Sequence, residues 1–135
     1  MLIETDTIIS LVRRNDKQHH NTLKILEKHR GELSLSPYSL SELDLLIWSD
    51  TFRVKDRESF FKLLEDTIKF YNVDIVKPRE LHIAKAYELR LKHRLSFFDS
   101  LHAATAIIEK IPLLSYDRVY EKVKELSYIN PLTLV

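Results

Sequence analysis

The sequence contains no cysteine. A disulfide scaffold and a metal site built from thiolates are therefore both excluded, and the absence fits a reducing compartment such as the cytoplasm. No apolar run approaches the length of a transmembrane helix, and the N-terminus lacks the pattern of a signal peptide. We therefore expect a cytoplasmic protein that does not use a membrane.

Glycine is almost as scarce, because Gly31 is the only one in the chain. The dinucleotide-binding motif G-x-G-x-x-G and the P-loop each need several glycines, which let the backbone approach a phosphate closely. Both motifs are therefore impossible here. Any chemistry on a phosphate must use side chains and a metal ion instead of a glycine-rich loop.

The chain is long enough and apolar enough to bury a core. Its 135 residues are 44% hydrophobic and 30% charged, with a formal net charge of +1. The small net charge excludes neither nucleic acid nor protein partners, because it does not describe how the charges are distributed. We find no internal repeat, linker or low-complexity tract, so we expect a single domain, 1–135.

Hydrophobic periodicity predicts strands that alternate with helices along the chain. The predicted strands are 1–5, ending at Asp6, then 32–35, 73–76, 111–115 and 132–135. The first predicted helix follows the first strand and ends near residue 14. The second is 17–29 and is closed by Gly31. The others are 36–48, 56–71, 77–93, 96–108 and about 120–125. This order predicts an α/β fold with a mostly parallel sheet covered by helices on both faces.

The segment 96–108 is the least charged long stretch of the chain, and Asp99 is its only formal charge. A helix that is apolar nearly all round is a buried helix. On this helix Asp99 lies beside Ala103 and Ala106, away from the face that includes Phe97. We therefore expect Asp99 to point inward among small residues, where an unpaired carboxylate is costly and needs a cation or a proton.

Three more carboxylates are predicted at the same edge of the sheet. Asp6 and Asp117 each fall where a predicted strand ends, and Glu42 lies in the first turns of the helix after the second strand. Ligands bind at the carboxyl ends of the strands in open parallel sheets, so these side chains and Asp99 should form one acidic site. Carboxylate oxygens without cysteine select Mg²⁺ or Mn²⁺ over zinc. Ions bound there would activate a water and stabilise the charge that develops on a phosphodiester.

Each carboxylate also has a purely structural explanation. Asp6 and Asp117 could cap helices. Glu42 and Asp99 each stand three residues after a serine, which is the spacing of a capping box. Each explanation is plausible alone, but the coincidence of four carboxylates at one sheet edge favours a site.

Two further polar features allow more than one interpretation. Lys92 and Arg94 precede the helix of Asp99, where they could bind a phosphate backbone or simply complement a helix C-terminus. His102 is better explained as a packed or hydrogen-bonded histidine than as a metal ligand. We therefore keep Lys92 and Arg94 as candidate phosphate-binding residues and leave His102 outside the predicted site.

Four blocks of the sequence, in order and at their spacings, resemble the PIN-domain nucleases, in particular the small VapC-like toxins of toxin–antitoxin pairs. The blocks are IETDTII (3–9), LSPYSLSEL (35–43), LSFFDSLHAA (95–104) and LLSYD (113–117). The resemblance implies a PIN-like three-layer α/β/α fold and a metal-dependent endoribonuclease. It assigns the acidic, metal-binding and catalytic site to Asp6, Glu42, Asp99 and Asp117.

The resemblance also implies partners for that site. Thr7 and Ser115 are hydroxyl-bearing neighbours that orient carboxylates or water. The implied cofactor is Mg²⁺ or Mn²⁺, the implied substrate is RNA, and the implied partners are a small antitoxin protein and a second copy of the chain in a homodimer.

Two other functions are compatible with parts of the sequence. A PIN-like scaffold could dimerise or bind RNA or a partner without cleaving, although the four intact acidic positions speak against it. A phosphoaspartyl phosphatase or receiver domain could use Asp6 as its nucleophile. A phosphatase of that kind requires a second aspartate two residues later, where this chain has Ile8.

Overall fold

A five-stranded, all-parallel sheet forms the centre of the protein, in the strand order β3-β2-β1-β4-β5. The computed structural model describes residues 1–135. The strands are β1 (Leu2–Ile3), β2 (Ser34–Leu35), β3 (Asp74–Ile75), β4 (Leu113–Leu114) and β5 (Tyr128–Ile129). β1 pairs with β2 on one side and with β4 on the other, so the first strand lies in the middle of the sheet.

Six α-helices cover the two faces of this sheet. They are α1 (Thr5–Val12), α2 (His19–Lys28), α3 (Tyr38–Trp48), α4 (Arg57–Phe70), α5 (Glu80–His93) and α6 (Phe97–Glu109), followed by two 3₁₀ helices, Arg118–Lys122 and Pro131–Thr133. The predicted α/β fold with a parallel sheet is therefore confirmed. None of the helices combines the length and the apolar character needed to cross a bilayer.

The two central strands divide the core between the two faces of the sheet. Successive residues of a strand point to opposite faces. Leu2 and Leu113 therefore pack into one apolar cluster with residues of α5 and α6. Their neighbours Ile3 and Leu114 pack into a second cluster, with residues of α1 to α4. All four side chains are buried, so both faces of the central strands are covered, as in a three-layer α/β/α fold.

The first strand is shorter than the sequence predicts, and this moves the start of α1. β1 ends at Ile3, and Glu4 is the N-cap of α1 because its side chain accepts a hydrogen bond from the backbone N–H of Asp6. Asp6 therefore lies in the first turn of a helix and does not end a strand. At the other end of this region, α2 stops at Lys28, and Gly31 adopts φ +83 in the turn towards β2 instead of closing the helix.

The predicted last strand, 132–135, is wrong. The fifth strand is Tyr128–Ile129, and the chain then forms the 3₁₀ helix Pro131–Thr133. Pro131 has no N–H to donate to a sheet, and the side chain of Asn130 accepts from the N–H of Leu132, which fixes the turn instead. The predicted helix near 120–125 is likewise a shorter 3₁₀ helix that begins earlier, at Arg118.

Helix α6 is buried over its middle, as its composition predicts. The seven residues from Ser100 to Ala106 are all buried, and they include Ala103 and Ala106. The first turn differs, because Phe97 is 61% exposed and packs against the guanidinium of Arg90, 4.6 Å from its ring centroid. The helix therefore enters the core only after its first turn.

Two leucines of α5 offer a direct test of this packing. Leu89 is fully buried towards the cluster shared with α6, whereas Leu91 is 87% exposed. We expect Leu89→Ala to lower the free energy of unfolding by about 2–5 kcal/mol, because it removes buried methyl groups and leaves a cavity. Leu91→Ala should change it by less than about 0.5 kcal/mol when it is measured at a protein concentration low enough to keep the chain monomeric. Urea unfolding followed by circular dichroism measures both, and equal losses would contradict this orientation of α5.

Candidate active site

Glu4 is a buried carboxyl group at the carboxyl end of the central strand β1. Only 4% of the residue is exposed. One oxygen, Oε2, accepts from the N–H of Asp6 at 3.1 Å, and the other, Oε1, accepts from the hydroxyl of Ser115 at 2.8 Å. Glu4 is not among the predicted site residues, although it is the first polar residue after the apolar stretch 1–3.

Asp6 faces the same serine from the first turn of α1. Its Oδ2 accepts from the Ser115 hydroxyl and from the Tyr116 N–H, each at 2.7 Å, and from the Asp117 N–H at 3.3 Å. Its Oδ1 accepts from the Thr7 hydroxyl at 3.2 Å. The two hydroxyls predicted to neighbour the site, Thr7 and Ser115, thus both contact Asp6.

The burial and the proximity of Glu4 and Asp6 shift their pKa values. Burial raises the pKa of Glu4 well above its ordinary range, and the charge of Asp6 raises it further. Burial also raises the pKa of Asp6, although the hydrogen bonds from Ser115 and Tyr116 oppose that rise. Two carboxyl groups this close cannot both ionise easily unless a cation lies between them.

Glu42 approaches this pair from α3. Its Oε1 accepts from His102 Nε2 at 2.9 Å and from the hydroxyl of Thr5. Burial disfavours the charge on Glu42, but the hydrogen bonds from His102 and Thr5 outweigh it and lower its pKa. The capping-box explanation fails for this residue, because Pro37 is the N-cap of α3 and no side chain caps that helix.

His102 connects Glu42 to the end of β2. Its imidazole is fully buried, and Nδ1 lies 2.7 Å from the hydroxyl of Ser36. Nε2 lies 3.9 Å from Glu4 Oε2 as well as 2.9 Å from Glu42. His102 is therefore hydrogen-bonded and buried, as expected, but it is also part of the site, because α6 presents it three residues after Asp99 on the same face.

Asp99 and Asp117 lie at the margin of the site. Asp99 Oδ1 accepts from the buried hydroxyl of Tyr120 at 3.3 Å. Burial and then the charges of Glu4 and Asp99 raise the pKa of Tyr120. The side chain of Asp117 is exposed. It caps the 3₁₀ helix Arg118–Lys122 by accepting a hydrogen bond from the Val119 N–H at 2.9 Å.

The two candidate phosphate-binding residues stand further out. Lys92 is exposed and lies 3.9 Å from a carboxylate oxygen of Glu125. Arg94 ends α5 in the left-handed region, with φ 53, and its side chain is exposed in the turn that leads to α6. Neither forms an ion pair with a carboxylate of the site.

A family model settles the relationship that the sequence blocks suggest. The model described as "PIN domain" matches residues 1–126. The chain belongs to the PIN-domain family. The predicted resemblance is therefore confirmed over nearly the whole length. No curated protein sequence matches the chain significantly.

Several solved structures share this fold, and a toxin–antitoxin complex from Klebsiella pneumoniae superposes with a TM-score of 0.68 at 14% identity over 96% of both chains. VapBC2 from Rickettsia felis, bound to a promoter DNA fragment, superposes with a TM-score of 0.72 at 19% identity over 96% of both chains. FitAcB from Neisseria gonorrhoeae gives 0.72 at 17% identity over 97% of both chains. DNA-bound VapBC from Salmonella typhimurium gives 0.74 at 12% identity over 96% of both chains.

The donor groups of this PIN domain fit the divalent metal ion that the family generally uses. Oxygen and nitrogen atoms of Glu4, Glu42 and His102 all lie within 4.8 Å of one another and could hold an ion. The raised pKa values of Glu4 and Asp6 mark carboxyl groups that lack a compensating positive charge. A hard divalent cation would supply that charge and would prefer these oxygen ligands.

The same pKa shifts predict that the metal-free protein loses stability as the pH rises. In the unfolded chain a glutamate titrates near about pH 4.3. In the folded protein Glu4 keeps its proton to higher pH, so the folded state binds more protons in the window between the two pKa values. The free energy of unfolding should therefore be greatest below about pH 4.3 as far as this group contributes, and should fall as the pH rises through the folded pKa. Urea unfolding in EDTA at a series of pH values measures this slope.

A matched pair of variants isolates the contribution of Glu4. Glu4→Gln removes the titrating carboxyl and should flatten the slope. Glu80→Gln removes an exposed carboxyl that forms no ion pair and should leave the slope unchanged. An unaltered slope in Glu4→Gln would show that this buried carboxyl is not the source.

Proposed function

We propose that this PIN domain is a metal-dependent endoribonuclease and acts as the toxin of a toxin–antitoxin pair. One observation carries the proposal. The buried carboxyl group of Glu4 and the partly buried carboxyl group of Asp6 converge on the hydroxyl of Ser115 at the carboxyl ends of β1 and β4. Glu42 joins Glu4 from α3, so carboxyl groups from two distant parts of the sequence meet where parallel sheets bind ligands.

In this proposal the metal-binding residues are the predicted four together with the glutamate that sequence analysis missed. They are Glu4, Asp6, Glu42, Asp99 and Asp117. A bound Mg²⁺ or Mn²⁺ ion supplies a Lewis acid that activates water and neutralises the charge on a phosphodiester. The identity of the donors supports these ions, because carboxylate oxygens dominate the site.

The remaining polar groups hold the carboxylates in place. Thr7 and Ser115 donate their hydroxyl hydrogens towards Asp6, and the backbone N–H groups of Tyr116 and Asp117 donate to the same carboxylate. Tyr120 donates to Asp99. Each donor is neutral, so it fixes the direction of a carboxylate without cancelling its charge.

The RNA substrate is part of the proposal, with Arg94 and Lys92 as the candidate contacts to its phosphates. Both residues are exposed near the turn that precedes α6, the helix of Asp99. Lys92 must leave Glu125 to contact a phosphate, since the two side chains lie 3.9 Å apart. We therefore expect Arg94 to contribute more than Lys92.

An antitoxin is the partner that best explains the grooves beside α4. A cavity of about 640 Å³ between α3, α4 and β3 is lined mainly by apolar residues, including Leu40, Phe61 and Ile75. A second, of about 430 Å³, lies on the other side of the helix against α1. The toxin–antitoxin complex from Klebsiella pneumoniae has a similar fold, which supports such a partner here. Apolar grooves of this kind bind the apolar face of a partner segment.

A homodimer is the assembly we propose for the nuclease. Ile83, Tyr87 and Leu91 form an exposed stripe along α5 at helical spacing, with exposed fractions of 40%, 61% and 87%. A second copy packed against this stripe would remove it from water. Sedimentation analysis of the parent protein and of Tyr87→Glu tests this assembly.

The nuclease proposal predicts that Asp6→Asn abolishes cleavage without unfolding the protein. The substitution keeps the size of the side chain but removes the charge that would bind the metal ion. We expect cleavage of single-stranded RNA in Mg²⁺ or Mn²⁺ to fall by at least about 100-fold. Gel analysis of a labelled RNA measures the rate, and circular dichroism checks the fold.

Asp44→Asn is the matched control, because Asp44 is an exposed carboxylate on the same helix as Glu42. It should cleave RNA like the parent. Full activity of Asp6→Asn would contradict the site assignment. A parent protein that binds no Mg²⁺ or Mn²⁺ in calorimetry and cleaves no RNA would favour the alternative, a scaffold that binds RNA or a partner without cleaving it.

The antitoxin proposal predicts a specific effect of Ile75→Glu. Ile75 lines the larger groove and is 47% exposed, so a charge there should block an apolar partner while leaving the fold intact. Co-expression with any small protein that is encoded directly upstream, followed by affinity purification, measures the complex. We expect at least about a tenfold loss of bound partner, equivalent to about 1.4 kcal/mol.

Leu132→Glu is the control for this experiment, since Leu132 is also 47% exposed but lies in the last 3₁₀ helix, away from the groove. It should retain the partner. If both variants bind equally, the partner does not use this groove. If no small upstream protein binds the parent, the toxin role is wrong even where RNA cleavage is observed.

A further inference from the structure

His102 links two elements of the acidic site through a continuous set of hydrogen bonds. It is fully buried on α6, as is Ser36 at the end of β2. Nδ1 lies 2.7 Å from the Ser36 hydroxyl, and Nε2 lies 2.9 Å from Glu42 Oε1 on α3. Three elements that are distant in sequence thus meet through one imidazole ring.

The partners of the ring define which nitrogen carries the hydrogen. An ionised carboxylate only accepts hydrogen bonds, so Nε2 must donate to Glu42. Nδ1 then has a free lone pair, and the Ser36 hydroxyl can donate to it. With this arrangement the Ser36 hydroxyl and the Nε2–H group each donate to one acceptor. The opposite tautomer would direct a lone pair of Nε2 at the carboxylate from 2.9 Å.

A serine, a histidine and a glutamate in series also resemble the arrangement of a serine hydrolase. That function requires a serine hydroxyl that can reach a substrate. Ser36 is 0% exposed, and its hydroxyl is directed at the imidazole inside the protein. The series therefore cannot supply a nucleophile, and its effect must be on Glu42.

The hydrogen bonds to Glu42 fall on only one of its two oxygens. Oε1 accepts from both His102 and Thr5, while Oε2 accepts no hydrogen bond from the protein. The side chain is 21% exposed, so it is not enclosed on all sides. Two donors on Oε1 fix the plane of the carboxylate and leave Oε2 free to bind another group.

We propose that His102, itself oriented by Ser36, is a positioning residue that directs the free oxygen of Glu42 towards the cation site. This inference rests on the proposed metal-dependent function and adds to it the residue that orients a ligand. His102 does not contact substrate in this role. Residues that orient metal ligands commonly affect metal affinity by about 10–100-fold when they are removed.

Two substitutions at position 102 separate positioning from simple packing. The amide nitrogen of glutamine can reach the place of Nε2 and donate to Glu42, whereas the amide of asparagine reaches only the place of Nδ1. We expect His102→Asn to weaken Mn²⁺ binding by about 10–100-fold. We expect His102→Gln to restore affinity to within about threefold of the parent, because it keeps the donor that Glu42 needs.

The measurement is calorimetric titration of the metal-free full chain with Mn²⁺, beside thermal unfolding of each variant in EDTA. His20→Asn is the control, because His20 is exposed on α2 and makes no contact with the site. Ser36→Ala is the second variant and keeps the imidazole but removes the group that orients it. We expect it to weaken Mn²⁺ binding by about three- to tenfold while the protein remains folded.

Each outcome bears on the proposal. Parent-like Mn²⁺ affinity in His102→Asn, or in a folded Ser36→Ala, would overturn it. Equal losses in the asparagine and glutamine variants, with equal losses of thermal stability, would reveal a packing role and also overturn it. If the parent binds Mn²⁺ but the variants give either of these results, the positioning role of His102 is wrong and the nuclease proposal is unaffected. If the parent binds no Mn²⁺, both proposals fail together.

Discussion

The burial of two neighbouring acidic side chains, Glu4 and Asp6, is the constraint on which the rest of this structure depends. Glu4 and Asp6 lie within 2.8 Å of the same Ser115 hydroxyl, which has only one hydrogen to donate. Burial raises the pKa of both groups, and the charge of Asp6 raises the pKa of Glu4 further. The fold tolerates this because neutral donors surround the pair, and because a cation can remove the remaining repulsion.

The order of the strands explains how such a cluster forms. β1 lies between β2 and β4, so the residues that follow these three strands are neighbours in space. They are Glu4, Ser36 and Ser115. Ser115 contacts Glu4, and Ser36 contacts His102. Helix α3, which packs with Ile3 and Leu114, then adds Glu42, and helix α6, which packs with Leu2 and Leu113 on the other face, adds His102. The site is thus a consequence of the parallel topology, in which all strands end at the same edge.

Local patterns in the sequence predict the fold well, whereas the details of the site depend on contacts between distant residues. Helical and strand periodicity fixes the α/β order and the buried helix α6, and the PIN resemblance is confirmed over residues 1–126. The end of β1 is set by pairing of Ile3 with Leu35 and Leu114, which no local pattern reveals. For this reason Asp6 is predicted and Glu4 is missed. The contact of Glu4 with Ser115 spans 111 residues, and that of His102 with Ser36 spans 66.

The distribution of positive charge distinguishes the acidic site from other carboxylates of the protein. Glu109 is paired with Arg79 and His82, and Glu125 with Lys92 and His93. No lysine or arginine forms an ion pair with Glu4, Asp6, Glu42, Asp99 or Asp117. The chain has 21 lysines and arginines, so it does not lack side chains that could pair with these carboxylates. The absence of lysine and arginine partners is therefore a property of the site. Fixed cations would cancel the repulsion permanently and leave no reason to bind an ion. Neutral donors orient the carboxylates and preserve their affinity for a divalent cation.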